Sequence, residues 1–170
     1  MDSKEPQSGL PSEAAHHAAF LAFLRSTVVE KCRSLTSEAQ RRSQLPSAWT
    51  PLELLFHLFH VEQRWFVWGF LGEEVEAPWG DSGGDPGGRW KVPDGVALED
   101  VVVQMDALAA RIEGVLRTHD LDERSAATGR FAGTTPPDLR WICFHVLQEY
   151  ARHAGHLDVS VELAGGQTGE

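Results

Sequence analysis

LRWICFHVLQEYARHAGHLDVSVEL, residues 139–163, reads as one uninterrupted helix that carries His145, Glu149, His153 and His156. Each residue turns a helix by about 100°, so positions four apart lie about 40° apart on one face and about 6 Å apart along the axis. Glu149 and His153 therefore point at the same spot. His145 lies one turn before Glu149, and His156 one turn after His153. A carboxylate and an imidazole at this spacing are two ligands for a divalent metal. Gly165 and Gly166 mark the end of the helix, and Thr135-Pro136-Pro137-Asp138 offers a cap and a proline for its start.

Three more helices precede this one. Ser12 caps a first helix from Glu13 to about Arg33, with Phe20, Phe23, Leu24 and Val28 at helical spacing. A break at Leu35–Glu38 leads into a short helical turn through Arg42. Thr50-Pro51-Leu52-Glu53 is a capping box with proline at the first helical position. It opens a second helix that runs to Leu71-Gly72, with a broad apolar face in which His57 and His60 are embedded. A third helix covers Leu98 to Thr118, and residues 119–135 read as loop. No stretch alternates as a strand would. The fold class is all-α, a four-helix bundle, with residues 1–11 and 166–170 as tails and residues 12–165 as one domain.

Between the second and third helices, GEEVEAPWGDSGGDPGGRWKVPDG (72–95) is rich in Gly, Pro and acids and has no usable period. Connections this long are lids or disordered segments more often than structural loops. Trp79 and Trp90 suggest that parts of it dock on the bundle; an acidic, solvated loop is the plainer alternative.

The bulk numbers narrow the class. The chain of 170 residues fits one domain with a sizeable core. A net charge of −10 argues against nucleic acid and anionic membranes as partners. No membrane span and no signal peptide are expected, which makes the cytoplasm the default location. Cys32 and Cys143 form no CxxC pattern and read as small buried apolar groups.

A lone histidine on an apolar face is usually a hydrogen-bonded core residue, so the chemistry rests on the combination. If the second and last helices meet in the core, His57, Glu149 and His153 converge. Two histidines and one carboxylate serve catalytic zinc sites with an open water position, and also non-haem iron oxygenases. His60 and His156, one turn from His57 and His153, are candidates for a supporting partner or a base. His16, His17 and His119 are expected in solvent.

FLAFLRSTVVEKCRSLTSEAQRR (from Phe20), PLELLFHLFHVEQRWF (from Pro51), LRWICFHVLQEYARHAGHLD (from Leu139) and ELAGGQTG (from Glu162) together resemble the DinB-like superfamily of metal-binding four-helix bundles. Within it, the chain is similar to the branch of small bacterial proteins that includes thiol S-transferases and is related to mycothiol-dependent maleylpyruvate isomerase. The resemblance covers roughly residues 19–169. It implies an up-down-down-up bundle whose second-helix histidine and two fourth-helix residues hold a divalent metal: His57, Glu149 and His153 in this sequence. Zn²⁺ is the first choice of ion, with Ni²⁺ and Fe²⁺ as the others. The implied reaction joins a low-molecular-weight, mycothiol-like thiol to an electrophilic small molecule, with His60 or His156 moving a proton. In one departure, Val161 stands where an arginine often occurs near the end of the last helix, which bears on substrate choice. A metal-dependent hydrolase and a non-catalytic metal-binding bundle are the alternatives, and a homodimer is a further expectation.

Overall fold

The computed structural model describes residues 5–167. The tail expectations at residues 1–4 and 168–170, and the last two residues of the ELAGGQTG match, lie outside them. The described residues form five α-helices and no strand: α1 (Glu13–Arg33), α2 (Ser37–Gln40), α3 (Pro51–Glu62), α4 (Leu98–Thr118) and α5 (Leu139–Leu163). The four long ones are the helices expected from the sequence, and α2 is the short turn after the first.

Their ends are fixed by local chemistry. The Ser12 side chain accepts the Ala15 N–H at the start of α1. At α3, Thr50 and Glu53 form the full reciprocal capping box, with Pro51 first in the helix. α5 starts at Leu139 as expected, and within the Thr135–Asp138 start signal the cap is Asp138, which accepts the Trp141 N–H. The reason is the two prolines. Residues preceding proline are driven toward extended backbone, and the Pro137 carbonyl accepts the Ser125 N–H at 2.9 Å. Residues 136–138 therefore lie extended beside the 123–125 segment, and helix begins only after them.

α3 departs from expectation. Past Glu62 the helix continues to Phe70 but widens into π-helical turns over Gln63–Phe70. Such widening is rare and concentrates at functional sites. Here it carries Arg64, Trp65 and Trp68, the residues on which the long connection and a later loop dock.

α1 packs on α5 and α4, and α3 packs on the same two helices. Leu52, Leu55, Leu58, Met105, Ile112, Ile142, Val146 and Leu157 fill the space between them. Burying a side chain of this size contributes about 1.5–3 kcal/mol, so the α3–α5 contact that positions the histidines is held by apolar packing. Val161 belongs to this core, with no exposed surface. Cys32 and Cys143 are free and buried, and burial pushes both thiols up to about 12. They behave as the apolar fillers the sequence suggested. No helix among the described residues is long and apolar enough to cross a membrane.

Candidate metal centre

α3 contributes His57, and α5 contributes Glu149 and His153 one turn apart. One ligand atom from each lies within 4.8 Å of the other two. His153 Nε2 is 3.2 Å from Glu149 Oε2. The His57 and His153 rings meet edge to face, with centroids 5.1 Å apart. On its other side Glu149 is 3.5 Å from His145 Nε2. The hydrogen bond with His153 holds the Glu149 carboxyl below its ordinary range despite partial burial, so it is ionised at neutral pH.

His57 is oriented by a residue of the long connection. Its Nδ1 is 2.7 Å from Asp81 Oδ2. Asp81 is buried, in a 3₁₀ turn (Gly80–Ser82), and is gripped from the far side by Arg64. That guanidinium donates to Oδ1 at 2.6 Å, to Oδ2 at 3.1 Å and to the Pro78 carbonyl at 3.0 Å. Burial alone would raise the Asp81 carboxyl, but the bonds from His57 and Arg64 outweigh it and hold the group below its usual range. Against an ionised Asp81, Nδ1 of His57 is the donor, which leaves Nε2 with its lone pair for a ligand role. A carboxylate behind a histidine in this way fixes the tautomer and raises the basicity of metal ligands. Burial meanwhile lowers the affinity of His57 for a second proton.

The return leg of the same connection closes the site from above. Trp90 stacks on His57 at 4.1 Å and meets the His153 ring at 5.1 Å. Trp79 lies on the Arg64 guanidinium, 4.5 Å from ring centre to Cζ. The solvated-loop alternative therefore does not describe this segment, and the tryptophans dock as expected. Gly80 shows how close the approach is: a Cβ there would sit 2.9 Å from Cε1 of His60.

The six remaining histidines are placed differently. His60 is buried between Phe56 and Phe59, with neither ring nitrogen hydrogen-bonded, and burial pushes it down to about 4. It lies behind Asp81 and is not one of the converging three. His156 is exposed at the rim, its ring 5.5 Å from that of His153. His145 stacks on Trp141 at 5.1 Å and touches Trp65. His16 and His119 are partly exposed. His17 corrects the expectation of a solvated side chain: it is 6% exposed, packed edge-on against Phe144. At the start of α1 it faces α5, where helix-end position gives no protection from burial.

Asp81 and Arg64 were missed in the sequence. The available signal was Arg64 itself, a charge on a strongly apolar helix that needs a carboxylate partner.

The donor set fits a divalent ion. Ligand atoms around a tetrahedral Zn²⁺ lie roughly 3.3 Å apart, close to the 3.2 Å between His153 and Glu149. Nδ1 of His153 is buried without a hydrogen-bond partner, so its imidazole has unmet bonding capacity at this point. An all-helical scaffold with two imidazoles and one carboxylate converging from facing helices defines a candidate metal-binding helical protein. A family model described as mycothiol-S-transferase matches residues 17–166. The chain belongs to the mycothiol S-transferase family, a member of the DinB-like superfamily. A comparison with curated proteins found no match.

Proposed function

We propose that this protein is a metal-dependent transferase that joins a mycothiol-like thiol to an electrophilic small molecule. The observation that carries the reading is the convergence of His57, Glu149 and His153, with His57 held in one tautomer by Asp81. A divalent ion held by these three, Zn²⁺ first, would supply the positive charge that keeps a bound thiol as thiolate at neutral pH.

The chain's own residues set up the rest. Trp90 on His57, and Trp49 with its ring 6.3 Å from Trp90 and 6.4 Å from His156, wall one side. His156, exposed beside His153 and held neutral at pH 7 by a lowered proton affinity, receives the thiol proton and passes it to solvent. The sulfur attacks the electrophilic carbon, an S–C bond forms, and the leaving group departs with the bonding electrons. His60 takes a supporting place behind Asp81, where it braces the turn that holds His57. The scaffold for this chemistry is read as the up-down-down-up bundle of its superfamily, with residues 12–165 as one domain. The pairing of α1 and α3 with both α4 and α5 supports that arrangement. Two free cysteines suit the reducing cytoplasm.

The test begins with protein stripped of metal and titrated with Zn²⁺. His57→Ala and Glu149→Ala are expected to lose at least a hundredfold in affinity, on the order of one lost ligand. Parental affinity in both would show that the site is misassigned. The second stage pairs a panel of biological thiols with an electrophilic reporter. A metal-dependent rate with one thiol class is expected, and no such rate with any thiol would overturn the transferase reading.

A further inference from the structure

Arg130 stands apart from the arginines that form ion pairs. Arg25, Arg33, Arg64, Arg111 and Arg140 each pair with a carboxylate. Arg130 is half-buried, yet among the described residues no acidic group lies within ion-pairing reach, although the chain carries 25 acidic residues. The charge it does feel is the like charge of Arg64, and burial lowers its hold on its proton.

Its placement is built. Arg130 lies in a 3₁₀ turn, Gly129–Phe131, which packs on the π-helical segment. Gly129 has φ +58°, and a Cβ there would sit 2.4 Å from the Trp68 carbonyl, so the turn seats tightly against α3 only with glycine. Phe131 on the other side is buried. Between these anchors the guanidinium lies 4.2 Å from the centre of the Trp65 ring, with Trp79 at 5.4 Å and Trp68 at 5.9 Å. Indole faces attract a guanidinium, and among the described residues the Arg130 N–H groups donate no hydrogen bond. Those groups form a planar fork matched to a carboxylate.

Arg130 lies two side chains from the metal centre. Trp65 is 4.1 Å from His145, and His145 is 3.5 Å from Glu149. The cation thus reaches a candidate metal ligand through two side chains, Trp65 and His145, and its charge is felt at His145. We infer that Arg130 binds a carboxylate of the electrophilic substrate and positions its reactive carbon toward the centre formed by His57, Glu149 and His153. The anion subsite stands on the geometry of Arg130; that its occupant is the electrophile rests on the transferase reading.

Two measurements separate these. Succinate and the neutral diamide succinamide are titrated into metal-free and Zn²⁺-loaded protein, with the fluorescence of the surrounding tryptophans as readout. Parent protein is expected to bind succinate in both forms. Arg130→Met should weaken it on the order of ten- to hundred-fold, the range for a lost charged hydrogen-bond pair, and Arg130→Lys should recover part. Equal succinate affinity in all three proteins would overturn the subsite, whatever the transferase assay gives. In conjugation assays, the kcat/KM ratio of chloroacetate to chloroacetamide should fall by a similar factor in Arg130→Met. N-acetylcysteine and its methyl ester, as the thiol, should show no such dependence. Arg130 dependence that follows the thiol's carboxylate would overturn the assignment to the electrophile. If no pair reacts, the transferase reading fails and succinate binding alone decides the subsite. Melting curves and the Lys variant guard against a misfolded Met variant.

Discussion

Glu62 and Glu149 stand on facing helices, α3 and α5, and both reach inward, yet their surroundings are opposite. Glu62 has no exposed surface and is closed off by Arg25, which donates to Oε1 at 2.6 Å, with buried Tyr150 alongside. Burial pushes its carboxyl up against the pull of that guanidinium. Glu149 keeps 22% of its side chain exposed and has imidazoles on both sides. The neighbours in sequence make the contrast sharper: Tyr150 serves the closed pair, while Glu149 beside it serves the open site. Arg25 meets Oε1 of Glu62 with two donors, and full burial keeps any ligand from the other oxygen. Glu149 has imidazoles and no guanidinium at its sides, and a divalent cation can meet its remaining charge.

The largest break in this comparison is at the closed pair. Arg25→Met leaves Glu62 buried and alone, and should cost about 3–5 kcal/mol in urea unfolding. Adding Glu62→Leu should restore much of that loss, since apolar replacement of a buried pair is often tolerated. Glu149→Gln, by contrast, should change metal-free stability by less than about 1 kcal/mol while weakening Zn²⁺ binding. A loss of stability as large as that of Arg25→Met would erase the distinction.

Acid comes next. His60 is held down to about 4 in the folded protein, against an ordinary value near 6.5. Between those values the unfolded chain binds a proton that the folded one does not. The stabilisation is therefore whole above pH 6.5 or so and is lost as pH falls toward 4, a change of roughly 3 kcal/mol. His60→Leu should flatten that limb of the stability profile. An unchanged limb would mean that His60 takes its proton without unfolding.

The smallest effect sharpens the open site. Asp81→Asn keeps the shape behind His57 but removes the charge, and should weaken Zn²⁺ affinity about ten- to hundred-fold, read by competition with a chelator. An affinity equal to the parent would reduce Asp81 to a loop anchor.

The helices and their caps were legible because their signals are local. Ser12, Thr50 with Glu53, and Gly165 act within one turn of where they stand. The converging three were legible as far as periodicity reaches, since Glu149 and His153 share a face and His57 sits on an apolar one. Asp81, Arg64 and Arg130 were not, because their roles depend on how residues 72–95 and 119–135 fold back, and neither stretch has a period. The widening of α3 over Gln63–Phe70 was equally hidden: apart from Gln63 and Arg64 its residues are apolar or glycine, so the pattern does not distinguish the two registers. His17 was misread for a related reason, as burial there comes from a partner 127 residues away at Phe144.

The two-point attachment of the long connection has a further consequence, for how the site tolerates change. Asp81 and Trp90 both fasten on His57, and residues 83–87 between them are exposed. The attachments divide one long closure into shorter ones, so most of the ordering cost is met before the tip is reached. Lengthening a flexible loop costs only about 0.6 kcal/mol per doubling. Residues 83–87 are thus a place where the chain can accept extra residues, a label or a cleavage site while His57 keeps both its neighbours. Variation among related chains should accumulate there first, at the part of the lid farthest from the imidazole it covers.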